Sequence, residues 1–299
     1  MKKATTLFFI ILLTMMSSCK KMTVKELAMM AEANDRECPV ELSGIGDLVH
    51  VQSEDSTLIF IIQTYPEQSS DNTSVSSNTS MLRKDSLISR PDDTKTAIAS
   101  IMFQPVTDQP LGVALESNWR KNTTYDKLAR MGGYLRVDLI SEDSTTFTSV
   151  TFNSQEMKKF TELCYQRYRL HPAVLDDILE LHKAIIMLAV PTDQFDNTGI
   201  ITAVDYDKES FNFYLEIDNA SNFDEKKIHD LHIEAFENLI EHQHSFFFRT
   251  NNVNDEVSLI KACIGTNRNF TYTYRAKSNG KQFKVIVTVD ELKKVIEKE

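Results

Sequence analysis

The stretch Ile200-Ile201-Thr202-Ala203-Val204-Asp205-Tyr206, then Asp207-Lys208-Glu209-Ser210, then Phe211-Asn212-Phe213-Tyr214-Leu215-Glu216-Ile217 decides the fold class. Its second half puts an apolar residue at every other position, the period of a strand with one buried face. The polar tetrad between the halves supplies turn residues, so the run reads as a β-hairpin. Working outward, Val49 to Phe60 and Leu139 to Phe147 have the same form. Both carry the pentapeptide Ser-Glu-Asp-Ser-Thr, at Ser53–Thr57 and Ser141–Thr145. A fourth hairpin is expected from Val257 to Tyr274 around Gly265-Thr266-Asn267-Arg268-Asn269. It continues through Ser278-Asn279-Gly280 into a strand with Phe283, Val285 and Val287 on one face.

Helix starts separate the hairpins. Thr23-Val24-Lys25-Glu26-Leu27 and Thr288-Val289-Asp290-Glu291-Leu292 each carry a capping box, Thr followed by Glu three places on. Asn153 with Glu156, and Asn222 with Glu225, repeat that spacing with Asn as the cap. Pro172 can open a further helix at its first turn. The expected class is α+β: repeated helix-plus-hairpin modules, antiparallel sheets, and helices on one face. A polar break from Pro66 to Asp93, whose stretch Ser69–Ser80 has one apolar residue in twelve, reads as a flexible linker. The expected organisation is a leader over 1–18, a first module over 19–65, the linker over 66–93, a second module over 94–170, and third and fourth modules over 171–299.

The amino terminus tells of location. Met1-Lys2-Lys3 precedes an apolar run from Leu7 to Leu13, then Met16-Ser17-Ser18-Cys19. The charged start, short apolar core and small residues are those of a secretory signal, and the run is too short to span a bilayer. With a cysteine at the cut site, the segment resembles a bacterial lipoprotein signal, in which the lipobox ends on the acylated cysteine. That resemblance implies a mature chain of 281 residues beginning at a lipidated Cys19. It also implies an outer-membrane address facing the periplasm, because no Asp follows Cys19. Each buried lipid methylene contributes about 0.8 kcal/mol, so multiple acyl chains anchor stably.

Removing Lys2 and Lys3 takes the formal charge from −10 to −12. So acidic a chain gains no counterion-release energy on phosphate backbones, which argues against nucleic acid as a partner. With Cys19 lipidated, Cys38, Cys164 and Cys263 remain. They fit either one bridge with a free thiol or three small core fillers, and no pair has metal-ligand spacing.

Several residues resemble sites, and each has a plainer reading. Glu225, His229 and His232 share one side of a helix, as zinc ligands would. The wheel, however, puts His232 among Ile228, Leu231, Ala235 and Leu239, where a core histidine sits. Asp176, Asp177, Glu180 and His182 lie on a helix whose other face is apolar, so a charged outer face accounts for them. Asp55 and Asp143 belong to turns that supply too few oxygens for calcium. Phe270, Tyr272 and Tyr274 alternate along one strand and suit either ligand stacking or the buried face of a sheet. Trp119, the only tryptophan, lies in polar surroundings and is a candidate contact residue. No phosphate loop, nucleophile elbow or dinucleotide fingerprint occurs. The expectation is a non-catalytic, lipid-anchored envelope protein without a cofactor. Its partners would be the membrane through Cys19 and another envelope protein or glycan. A carbohydrate- or peptide-binding module using Tyr272 and Tyr274, or a metal-dependent hydrolase at His229 and His232, are the alternatives.

Overall fold

Three predicted helix starts form by the predicted chemistry. Thr23 opens α1 (Val24–Asp35), Asn153 opens α5 (Ser154–Tyr168) and Thr288 opens α9 (Val289–Ile296), each with a complete capping box. Asn153 Oδ1 accepts from the Glu156 N–H at 3.0 Å, and Glu156 returns a carboxylate oxygen to the Asn153 N–H at 2.9 Å. Such caps satisfy N–H groups that the first helical turn leaves open. The computed structural model describes residues 22–42, 45–65, 82–106, 120–193, 199–218, 223–242 and 254–297. Cys19, Trp119 and Asn222 lie outside them.

The chain divides into two units, Met1–Arg169 and Leu170–Glu299. In the first, α1 leads to β1 (Val40–Leu42), β2 (Gly46–Glu54) and β3 (Thr57–Thr64). Three helices follow, α2 (Lys84–Ser89), α3 (Pro91–Met102) and α4 (Asp126–Arg130), then β4 (Tyr134–Ile140), β5 (Thr146–Phe152) and α5. The strands stand in chain order, with β3 and β4 parallel and the other neighbours antiparallel.

The second unit repeats the plan. A 3-10 turn at Pro172–Val174 opens into α6 (Leu175–Ala189), followed by β6 (Thr192–Asp193), β7 (Ile200–Tyr206) and β8 (Ser210–Ile217). Next come α7 (Glu225–His242), α8 (Asn254–Gly265), β9 (Asn269–Ala276), β10 (Gln282–Val287) and α9. Strand order again follows the chain, with β8 and β9 parallel. The fold is therefore α+β, and its sheets are mixed. Two antiparallel hairpins are joined through a helical crossover, and a crossover returns the chain to the same end, so the strands it links run parallel.

The two copies share small devices as well as order. Each helical crossover ends in a Schellman turn: Gly133 N–H reaches Leu128 C=O at 3.0 Å, and Arg268 N–H reaches Cys263 C=O at 2.8 Å. The left-handed residue is Gly132 in one (φ 78°) and Asn267 in the other (φ 57°). The strand that follows is docked by the preceding hairpin turn, through Tyr134 N–H to Ser56 C=O and Asn269 N–H to Glu209 C=O. The second strand of each unit carries a bulge, at Leu48/His50 and at Ile201/Ala203.

The core of the first sheet is Leu48, Val51, Leu58, Phe60, Leu135, Val137, Leu139 and Phe152, all buried. The second sheet buries Phe211, Phe213, Leu215, Phe270, Tyr272, Tyr274 and Val285. Fully burying one such large side chain contributes about 2 kcal/mol.

Three expectations need correction. Val257 to Asn267 is not a strand and turn: Asn254–Gly265 is helix α8, with Leu259, Ile260, Ala262 and Cys263 inside. Those spacings are helical, and the Gly265-Thr266-Asn267 cluster is a helix C-terminus rather than a hairpin turn. The fourth hairpin is β9–β10. The polar break is shorter than its composition suggests, since α2 and the start of α3 occupy 84–93. Leu87 is buried there, and Thr94 Oγ1 donates to Leu87 C=O at 2.9 Å. The cap of α7 is Asp224, whose carboxylate accepts from the Lys227 N–H at 3.1 Å.

Candidate functional site

The elements α7, β9 and β10 bring together most of the residues singled out in the sequence. Tyr272 and Tyr274 alternate along β9 with Phe270, and the period of two sends all three to the helix-covered face. Both tyrosines are buried, so the role of exposed ligand contact is corrected to that of core. Tyr272 stacks on Phe213 with ring centroids 5.0 Å apart. On its other side lies His232 of α7, centroids 3.7 Å apart and rings 12° from parallel. His232 Nε2 hydrogen-bonds the Tyr274 hydroxyl at 2.8 Å. Burial, with His229 adding to it, pushes the His232 pKa down to about 3. The imidazole is neutral at physiological pH and serves as a polar pin between helix and sheet.

His229 is one turn away and faces outward, one quarter exposed. Its Nε2 lies 3.3 Å from Glu291 Oε1. Burial works against Glu291's ionisation, but hydrogen bonds from Thr288 and His229 outweigh it and hold the carboxyl below its ordinary value. Glu291 thus caps α9 with one oxygen and ties α7 with the other. Glu225 is exposed at the first turn of α7. The ring nitrogens of His229 and His232 go to different partners, so the helical spacing does not converge them. Among the described residues, no three His, Cys, Asp or Glu side chains gather as a metal site would require.

Outside this cluster the chemical-looking residues do structural work. His182 is buried rather than on an outer face, with Nε2 3.0 Å from Ser258 Oγ, joining α6 to α8. Asp143 accepts from Ser141 Oγ at 2.5 Å and from Thr145 N–H at 3.1 Å, and these bonds hold its carboxyl below the usual range. Asp207 does the same for the Glu209 and Ser210 N–H groups. Cys38, Cys164 and Cys263 are all free thiols, the latter two buried. Burial, then Asp35 and Glu37, pushes the Cys38 pKa up to about 11, so it is protonated at neutral pH.

Two features were not read from the sequence. Arg268 bridges distant parts of the second unit: its Nη1 lies 2.6 Å from Asp176, its Nε donates to Asp207 C=O at 2.5 Å, and its guanidinium lies over Tyr206. Partner positions 92 and 61 residues away leave no local signal. The other is an open groove lined by Glu225, Lys226 and His229 of α7 and by Lys284, Val285 and Ile286 of β10. Its one sequence trace is Lys284, a lysine inside the otherwise apolar run from Phe283 to Val287. Comparison of the chain with protein-family models, curated proteins and solved structures finds no match.

Proposed function

We propose that the chain is a non-catalytic, lipid-anchored envelope protein whose folded units bind another envelope macromolecule. The observation that carries the reading is where the best chemical side chains go. His232, Tyr272, Tyr274 and His182 are packed into cores, where Tyr272 is held by ring stacking and the other three by hydrogen bonds, while the accessible features are a sheet face and a groove. Tyr214 and Ile286 stand exposed on the open face of the second sheet, among Thr202, Asp205, Arg275 and Lys284. Recognition through such a mixed surface needs no reacting group. The leader ending at Cys19 supports the anchor, and Lys20 and Lys21 directly after it add attraction to anionic head groups, about 1 kcal/mol each. Among the described residues no helix is long and apolar enough to cross a membrane. Only Lys20, Lys21 and Met22 separate Cys19 from the cap of α1, a reach of roughly 14 Å at about 3.6 Å per residue. The anchored first unit would stay near the bilayer, at the outer membrane and facing the periplasm.

Intact-mass measurement of the mature chain tests the anchor. The expected mass starts at Cys19 and carries acyl groups, and Cys19→Ala leaves the precursor uncut or releases the protein from membranes. An unmodified Cys19, or a chain still carrying residues 1–18, would contradict it. The hydrolase alternative asks His229 and His232 to share an ion, and their separate hydrogen bonds give it no support.

A further inference from the structure

We propose that the free edge of β10 takes up an extended, acidic segment of a partner protein as an added strand. The proposal rests on the reading that this chain binds a macromolecule, and names the surface and the partner's chemistry. Among the described residues β10 pairs with β9 alone. The register fixes which of its groups are available. Ala276 N–H donates to Lys281 C=O at 2.9 Å, so Lys281, Phe283, Val285 and Val287 turn their backbone groups toward β9. In an antiparallel pair these alternate with residues whose N–H and C=O point away. Gln282, Lys284 and Ile286 therefore offer three donors and three acceptors along the open edge. Strand addition draws its affinity from such main-chain bonds and its specificity from alternate side chains.

The first turns of α7 wall this edge and make it a groove rather than a bare rim. The lining of the groove includes two lysines, Lys226 and Lys284, and one carboxylate, Glu225. Nearby, Glu291 is engaged with His229 and Thr288, and Asp230 lies 3.7 Å from His229 Nδ1. Among the described residues neither lysine has an ion pair. Arg275 on the neighbouring strand adds a further exposed cation. A locally basic edge on a chain of net charge −10 selects for an acidic strand and steers it there. It also disfavours a second copy of this chain, because antiparallel self-pairing about the centre of β10 would bring Lys284 against its own symmetry mate. Edge lysines block self-association in this way.

The test measures binding of two end-blocked peptides to the mature chain, one alternating glutamate with valine and the other lysine with valine. The glutamate peptide should bind about tenfold tighter or better, and more weakly as salt rises. Lys284→Glu should remove that preference. Ile286→Pro deletes an N–H that points outward, so the sheet is kept and the docking register is lost; binding should be abolished. Should that variant not fold, amide exchange on the unaltered protein gives the same answer: added peptide should protect Gln282, Lys284 and Ile286. Equal binding of both peptides, or unchanged exchange at those three amides, would overturn the proposal. Photo-crosslinking in intact envelopes separates the two levels. A partner captured equally well by Ile286→Pro overturns the edge and leaves partner binding intact. Peptide binding without any partner captured from either unit counts against the broader reading alone.

Discussion

At the bulge in the second strand of the first unit, the Val51 N–H is taken by a carboxylate; in the second unit the matching Val204 N–H is taken by a thioether. Asp35 Oδ1 lies 2.9 Å from the Val51 nitrogen, and Met187 Sδ lies 3.2 Å from that of Val204. Each acceptor lies in the last turn of the helix preceding the short edge strand, at the same place in the plan. Asp35 also meets His50 Nδ1 at 3.2 Å, near the surface, whereas Met187 is buried. Both N–H groups point away from the hairpin partner and lie beyond the reach of the short edge strand, β1 or β6, so the ladder gives them no acceptor, and both units meet that requirement from the same helix with different chemistry. The difference teaches that the architecture constrains a donor's need for a partner, while the partner's identity follows local solvation.

The same contrast runs through the cores. The first unit clusters Phe103, Tyr125, Phe152 and Phe160 between helices and sheet, and the second lays a stack of Phe213, Tyr272 and His232 from sheet to helix. The largest effects should come from these clusters. Phe152→Ala and Phe213→Ala should each cost about 3–5 kcal/mol. Urea titration followed by amide exchange assigns each loss to its own unit. A cost for Phe213→Ala below about 1 kcal/mol would break the parity of the two cores.

Acid should separate the units next. His232 has a folded pKa of about 3, below its unfolded value, so its neutral form is stabilised in the fold. That contribution is complete above about pH 6.5 and is lost as pH falls from there toward 3, at up to about 1.4 kcal/mol per unit. Stability of residues 170–297 should fall across this window, and His232→Gln should flatten the slope. An unchanged slope in that variant would remove His232 as the cause.

The acceptors for Val51 and Val204 should rank below. Asp35→Ala leaves the Val51 N–H without its acceptor and should cost about 1 kcal/mol. Met187→Leu should cost less, since a volume-conserving exchange loses only a weak acceptor. The Val51 hydrogen bond, with His50 adding to it, holds the Asp35 carboxyl below its ordinary value despite slight burial. Its stabilisation is therefore present above the unfolded pKa and lost as pH falls through the folded one, a window more acidic than that of His232. Thermal melts of both variants at neutral and acid pH check the order.

The smallest effects should be of opposite sign at the matching Schellman residues. Gly132→Ala forces a side chain into φ 78° and should cost about 1 kcal/mol. Asn267→Gly relieves φ 57° and should gain a few tenths. Equal signs would mean that the two helix ends are not equivalent.

Local chemistry was legible and long-range equivalence was not. Capping boxes and the alternation of Phe211, Phe213 and Leu215 report interactions within a few residues, so the sequence displays them. The two repeated strings pointed to the wrong level of repetition. Ser-Glu-Asp-Ser-Thr falls on both hairpins of one unit, and even there it folds in two ways. Asp55 takes the positive φ in a two-residue turn, whereas Ser144 takes it in the second, wider loop. Thr-Val-x-Glu-Leu marks the first helix of one unit and the last of the other. The true duplication lies in strand order and in the acceptor that the preceding helix supplies to the second strand, Asp in one copy and Met in the other, so residue identity conceals it. At the site, burial of His232 followed from the helix wheel. The fate of Tyr272 and Tyr274 stayed open because a period of two does not say which face is covered. The β10 groove depends on α7 lying beside an edge more than fifty residues away in sequence.

The two outer edges give the most direct test of partner binding. β5, made of Thr, Ser, Val and Phe, has α2 against it with Lys84 over Phe147, while β10 carries Lys284 in an open groove. Residue-resolved amide exchange with the glutamate–valine peptide present reads both edges in one sample. The account predicts slowed exchange at Gln282, Lys284 and Ile286 and unchanged exchange from Phe147 to Thr151. Protection along β5, or along both edges alike, would contradict it.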